Sequence, residues 1–175
     1  MKLSDGEKLI LMMLSEIYEH HKIKGEIDPA FVQETLTSGQ IWGFPWKYSG
    51  LGLEGKTVPP VVKETCDIFD MYSLVSSSYD KLAPSEKKKV RDGADPFDDY
   101  VVFQGFDFNN DDHAGVASYL VNHLGRYTNI DPSINSHNST TIHKYRKMLS
   151  IYKDITDPYP AEGLSADQLI AILKS

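Results

Sequence analysis

The apolar pattern begins with a helical signal near the start of the chain. Ser4 and Glu7 have the Ser-x-x-Glu spacing of a capping box, which predicts that a helix begins there. Apolar residues follow with helical spacing at Ile10, Met13, Leu14 and Ile17. Further apolar residues flank this face at Leu9, Met12 and Tyr18. Because this apolar face is so wide, the pattern predicts a helix that is buried on more than one side.

Further helices are predicted along the rest of the chain. Asp28 fits the cap of a second helix that runs to about residue 38, with a proline in its first turn. Pro59 and Pro60 open a long helix that ends near Pro84. A short basic helix and two amphipathic helices are predicted over residues 85–91, 111–124 and 142–152. A terminal helix follows a second capping box at Ser165 and Gln168.

Two segments between these helices are not helical in pattern. Residues 41–55 are rich in glycine and aromatic residues, which indicates an ordered loop. Residues 100–103 have the composition of a short strand, although a lone strand has nothing to pair with. Strands do not alternate with helices, so a parallel α/β sheet is disfavoured. We therefore predict an all-α, multihelical single domain over residues 1–175, with 1–100 and 101–175 as candidate subdomains.

Composition narrows the class of protein. Hydrophobic residues make up 41% of the chain and charged residues 25%, which is typical of a globular domain. The apolar run Leu9–Leu14 is far too short to span a membrane. The single cysteine, Cys66, excludes an internal disulfide and fits a reducing compartment, so we expect an intracellular protein. The net charge of −7 repels phosphate backbones, which disfavours a nucleic-acid partner.

The segment Gly50–Thr57 matches the phosphate-loop pattern G-x-x-x-x-G-K-[ST]. In such a loop, backbone N–H groups cradle phosphates and the lysine contacts the terminal phosphates. The context disfavours it, because no apolar strand leads into the segment and Pro60 would interrupt a helix already running at Lys56. Nucleotide binding by this loop stays as the alternative to a glycine-rich connection that leads into a helix.

The remaining candidate chemistry is sparse. His113 and His123 are ten residues apart, which is not a recognised spacing for metal ligands, so we expect no metal and no cofactor. Cys66 lies in a helical pattern that favours a buried, inert thiol. An enzymatic alternative would use Asp107, Asp111, His113 and Arg126 on phosphate-bearing substrates. The basic cluster at residues 87–91 could contact phosphate, but a solvated helix face is the simpler interpretation.

Aromatic residues in two loops are typical of binding surfaces. Trp42 and Trp46 belong to the first loop, where they serve either as interface anchors or as a cover for the core. Arg126 and Tyr127 follow a helix end, where the arginine could bind carbonyls or the carboxylate of Asp107. The candidate binding residues are therefore Trp42, Trp46, Asp107, Arg126 and Tyr127.

Several segments together resemble the YfbU family of bacterial proteins. The segments that carry the resemblance are 64–72 (ETCDIFDMY), 105–107 (GFD), 125–128 (GRYT), 144–149 (KYRKML) and 164–166 (LSA). The resemblance covers roughly residues 58–174, fits the N-terminal segment more loosely, and does not extend to the loop at 42–57. It implies an all-helical, cytoplasmic bacterial protein, and it implies no reaction and no catalytic residues.

These observations predict a non-enzymatic interaction or regulatory module. No catalytic constellation is recognisable, and aromatic residues remain in loops for contacts with a partner. We expect a homo-oligomer, with a protein partner as a further possibility and with no membrane partner.

Overall fold

The computed structural model describes residues 2–53, 57–138, 140–156 and 163–175. Eight α-helices are present in these residues, and no strand is, which confirms the all-α prediction. The helices are α1 (Asp5–His20), α2 (Pro29–Thr37), α3 (Gly43–Lys47), α4 (Pro60–Lys81), α5 (Pro84–Ala94), α6 (Asp112–Ser118), α7 (Thr141–Ile155) and α8 (Ala166–Leu173). None of the helices in the described ranges combines the length and the apolar character that a bilayer crossing requires.

The capping signals place the helix starts correctly. The Ser4 hydroxyl accepts a hydrogen bond from the Glu7 backbone N–H, and the Ser4 backbone N–H donates to the Glu7 carboxylate. The first capping box is therefore complete. The second capping box, between Ser165 and Gln168, is complete as well. Asp28 accepts hydrogen bonds from two backbone N–H groups in the first turn of α2. These caps satisfy N–H groups that a helix otherwise leaves unpaired, and each contributes about 1 kcal/mol to stability.

Two predictions for the segments between helices are wrong. Residues 100–103 do not form a strand, because a 3-10 turn spans Asp98–Val101 and the Ser76 hydroxyl donates to the Val101 carbonyl. The segment predicted as a loop contains the short helix α3 and a second 3-10 turn at Ser49–Leu51. In both places aromatic side chains pack into a core, and a compact turn brings them there without any partner strand.

The main core surrounds α4, which contacts α6, α7 and α8. The face of α4 that carries Ile68, Phe69, Tyr72 and Val75 is fully buried. Aromatic rings from the 3-10 turn region and from α7 pack edge-to-face against it, and the Tyr145 hydroxyl donates to the Gly105 carbonyl at 2.8 Å. This core gives the protein a rigid body on which the surface features are mounted.

A second, smaller core cluster joins the N-terminal helices to the segment after α6. It consists of Phe31, Val32, Phe44 and Tyr119, which come from α2, α3 and the helical turn after α6. That turn, a π-helical segment at Tyr119–His123, continues α6 and ends before Gly125, where the positive φ of 64° terminates the helix as predicted. Leu11 of α1 also packs on this cluster.

The prediction that α1 is buried on more than one side is wrong. Ser15 is the one residue of this helix that is fully buried, whereas Leu9 is 65% exposed and Met13 is 62% exposed. Helical periodicity identifies the residues that share a face, but it does not tell whether another element covers that face. α1 lies against α2 with the side that carries Leu11 and Ser15, and its apolar opposite side faces solvent.

Candidate functional site

The structure brings three of the candidate binding residues near one another. The rings of Trp42 and Trp46 meet edge-to-face with centroids 5.0 Å apart. The guanidinium of Arg126 lies over the Trp46 ring, 4.5 Å from its centroid. Trp42 also packs against Tyr119 of the smaller core cluster, so this tryptophan partly covers the core. We call Trp42, Trp46 and Arg126 the tryptophan patch. In its outer part, a cation–π contact holds the exposed Arg126 over the Trp46 ring.

Tyr127 is directed towards α4 and away from that patch. Its backbone has a φ of 55°, which is unusual for a residue that is not glycine. Its hydroxyl interacts with the Asp70 carboxylate and the Cys66 thiol, and its ring packs edge-to-face on Phe69. Burial raises the pKa of the Cys66 thiol, as expected of an inert cysteine. Tyr127 therefore anchors the chain after α6 to the central helix.

Asp107 occupies a third location and does not contact Arg126 in any described interaction. Its carboxylate accepts hydrogen bonds from the Asn109 backbone at 3.0 Å and from the Asn110 amide at 2.7 Å. The Asn110 hydrogen bond is the main reason that the pKa of Asp107 lies below its usual value. These contacts close an Asx turn ahead of α6, so the role of Asp107 is local and structural.

A charged network that the sequence did not reveal joins α4, α6 and α7. Arg146 donates two hydrogen bonds to Glu64, from Nε at 2.7 Å and from Nη2 at 2.9 Å. The Nε2 atom of His113 lies 2.8 Å from Oε2 of the same carboxylate, the oxygen that also accepts from Nη2 of Arg146. Arg146 first and His113 second stabilise the charged form, which lowers the pKa of Glu64 to about 2.

The far end of this network is less well paired. The Nδ1 atom of His113 lies 3.6 Å from Asp111, beyond hydrogen-bond distance. That nitrogen and one carboxylate oxygen of Asp111 are buried without a hydrogen-bond partner. Phe106 stacks on the imidazole and shields it from solvent. Asp111 and His113 thus come together, but Asp107 and Arg126, the other members of the enzymatic alternative, serve separate contacts elsewhere.

A shallow groove of about 430 Å³ runs between α4 and α7. Asp67 and Asp70 line it from α4, and Lys153 lines it from α7. Lys153 donates to Asp67 at 2.7 Å, so one of the two carboxylates is already neutralised. The groove therefore resembles an ion-paired seam between two helices.

Two of the basic residues of α5 make contacts with neighbouring helices. Lys89 pairs with Asp167 at 2.9 Å, and Lys87 lies over the ring of Tyr79. The described residues contain no group of three or more His, Cys, Asp and Glu side chains arranged to hold a metal ion.

The phosphate-loop pattern falls partly outside the described residues, since these exclude 54–56 and with them Lys56. The flanking residues are described. A short helix precedes the pattern, a 3-10 turn overlaps its first two residues, and α4 begins only at Pro60, after Thr57. The surroundings therefore lack the strand-to-helix arrangement on which a phosphate loop is mounted.

The outward face of α1 is the surface feature that the sequence misassigned. Rotation of about 100° per residue places Met13 and Ile17 opposite Leu11 and Ser15, which face α2. The exposed apolar residues of this outward face are Leu9, Ile10, Met13, Leu14 and Ile17, with exposures between 47% and 65%. We call these five residues the α1 stripe.

The comparisons with known proteins give a family and no structural neighbour. No solved structure matches the chain. The family model that matches is described as the YfbU domain, and the match extends over residues 1–175. This match includes the N-terminal segment, which fits the sequence resemblance more loosely, and the loop at 42–57, to which the resemblance does not extend. The chain therefore belongs to the YfbU family, and the family domain spans all of it.

Proposed function

We propose that this protein is a non-enzymatic interaction module that assembles into homo-oligomers through the α1 stripe. The observation that carries the proposal is an amphipathic helix mounted with most of its apolar residues facing water. Single exposed apolar residues are ordinary, but a contiguous apolar patch marks a contact surface.

The size of the patch supports a specific contact. The five exposed fractions add up to nearly three complete side chains. Full burial of such a side chain contributes roughly 1.5–3 kcal/mol, so covering the stripe would contribute roughly 4–8 kcal/mol per copy. Two further exposed isoleucines, Ile23 and Ile27, lie in the connection to α2, and Ile27 lines a groove together with Leu14 of the stripe.

The proposal assigns no reaction to the protein. Asp107 and Tyr127 are engaged in turns and anchors, and Arg126 lies over a tryptophan ring. The charged network at Glu64 joins three helices, and Phe106 stacks on its His113 ring, which is the arrangement of a structural ion cluster. We place the assembly in the bacterial cytoplasm, as the family resemblance implies.

Sedimentation equilibrium of matched variants tests the proposal. Met13→Glu places a carboxylate at the centre of the α1 stripe, and Val102→Glu places one at a similarly exposed apolar position elsewhere. We expect the wild type and Val102→Glu to associate at micromolar concentrations and Met13→Glu to be monomeric. All three should have the same helical circular dichroism, because both positions are exposed.

A monomeric wild type, or association that Met13→Glu leaves unchanged, would rule out this proposal. The phosphate-binding alternative makes a different prediction, namely a higher melting temperature with nucleotides or divalent metals. We expect no such shift.

A further inference from the structure

We infer that two copies of this chain pair through antiparallel α1 helices, related by a two-fold axis that passes beside Met13. This inference rests on the proposed function and adds the identity of the partner and the geometry of the contact. It follows from the position of the apolar and charged residues along the outward face of α1.

The α1 stripe is nearly symmetric about Met13. Leu9 and Ile17 lie four residues to either side, each within about 40° of the Met13 direction on a helix with 100° per residue. A two-fold axis at Met13 therefore places Leu9 of one copy against Ile17 of the other, and the same contact occurs twice. Ile10 and Leu14 lie on one common flank of the stripe, so they meet their counterparts beside the axis.

The ends of the helix favour the antiparallel direction. The first turn carries the carboxylates Asp5 and Glu7, and the helix ends with His20 and the cap residue His21. In the antiparallel pair, Asp5 lies on the same flank and at nearly the same height as His20 of the second copy. An imidazole N–H group can donate to this carboxylate, whereas the Glu7 carboxylate is already engaged by Ser4 in the capping box.

A parallel pair would be less favourable because it would align the two helix dipoles. The antiparallel arrangement instead places the positive end of one helix beside the negative end of the other.

Space at the ends of the stripe also fits this arrangement. Gly6 lies on the outward face, and a side-chain carbon added to it would meet no atom within 4 Å. In the antiparallel pair it faces His20 of the second copy, which needs the room that a glycine leaves. The contact is self-complementary and closed, so it produces dimers and no open filaments.

Disulfide cross-linking between introduced cysteines tests the geometry. The variants are Leu9→Cys, Met13→Cys and Ile17→Cys, with Phe108→Cys as the control because Phe108 is exposed away from α1. Burial raises the pKa of the natural Cys66 thiol, which slows its own oxidation, and the oxidised wild type measures that background.

The antiparallel geometry predicts a specific pattern of products. Met13→Cys alone should form a covalent dimer several-fold faster than the Phe108→Cys control. A mixture of Leu9→Cys and Ile17→Cys, one of them carrying a tag that changes its mass, should form the mixed dimer in excess over both homodimers.

The contrary outcomes separate this inference from the proposed function. Homodimers of Leu9→Cys and of Ile17→Cys without the mixed species would indicate a parallel pair, which overturns the geometry but keeps the α1 stripe as the contact. Association in sedimentation with no cross-link at any of the three positions would overturn both the geometry and the role of α1. A monomeric protein that forms no cross-link would overturn the inference together with the proposed function.

Discussion

Replacing Glu64 by glutamine tests the charged network that joins α4, α6 and α7. Glutamine keeps the size of the side chain and one acceptor oxygen, but it removes the charge that Arg146 and His113 stabilise. The pKa of Glu64 falls from an ordinary 4.5 to about 2 because of these contacts, first of all that with Arg146. The carboxylate therefore contributes more to the folded state than to the unfolded chain whenever it is charged.

The magnitude follows from the size of the pKa shift. Each unit corresponds to about 1.4 kcal/mol, so the shift corresponds to about 3 kcal/mol. Because the carboxylate is 28% exposed, solvent screening reduces this figure, and we expect Glu64→Gln to lower the free energy of unfolding by about 2 kcal/mol at pH 7. A carboxylate with a lowered pKa stabilises the fold above its unfolded pKa and loses that effect as the pH falls towards its folded pKa.

Urea unfolding followed by circular dichroism measures this effect at fixed protein concentration. The difference between wild type and Glu64→Gln should persist from pH 7 to about pH 5, fall to about 1 kcal/mol at pH 3, and vanish near pH 2. Asp80→Asn is the matched control, since Asp80 is an exposed carboxylate near the end of the same helix. A difference that stays constant down to pH 3, or one no larger than that of Asp80→Asn, would refute the role assigned to this network.

Two further predictions concern a glycine and the tryptophan patch. Gly105→Ala should destabilise the fold by about 2 kcal/mol or more, because Gly105 has a φ of +83° and an added carbon would lie 2.1 Å from a backbone carbonyl. Gly115→Ala, in an open helical position, should instead stabilise it by about 0.5–1 kcal/mol, and equal effects in urea unfolding would contradict the geometry. A double-mutant cycle with Trp46→Leu and Arg126→Met should give a coupling free energy of about 0.5–1 kcal/mol, and a coupling of zero would exclude the cation–π contact.

Local signals in the sequence were sufficient to place most helices. The hydroxyl of Ser4 and the carboxylate of Glu7 satisfy each other's neighbouring backbone groups, so the start of α1 is encoded within four residues. The proline at the start of α4 and Gly125 at the end of the helix after α6 act in the same local way.

Features that depend on distant segments were not accessible in this way. Glu64 and Arg146 are 82 residues apart, and no spacing rule connects them before the helices have packed. The exposure of α1 is a similar case, because the apolar period predicts a face and only the packing of the whole chain leaves that face uncovered. Among the candidate residues, the neighbouring positions Trp42 and Trp46 were the pair that local reasoning could bring together.

Oxidation of methionines at different protein concentrations tests the central claim without any substitution. Met13 is 62% exposed on one chain and lies at the middle of the α1 stripe, whereas Met71 and Met148 are fully buried and serve as internal standards. Dilute hydrogen peroxide followed by peptide mass spectrometry gives the oxidation rate of each thioether. We expect Met13 to react rapidly in dilute protein and to become several-fold slower as the concentration rises into the micromolar range, while both standards stay slow. A Met13 rate that is high and independent of concentration would show that α1 remains uncovered, and it would contradict the account.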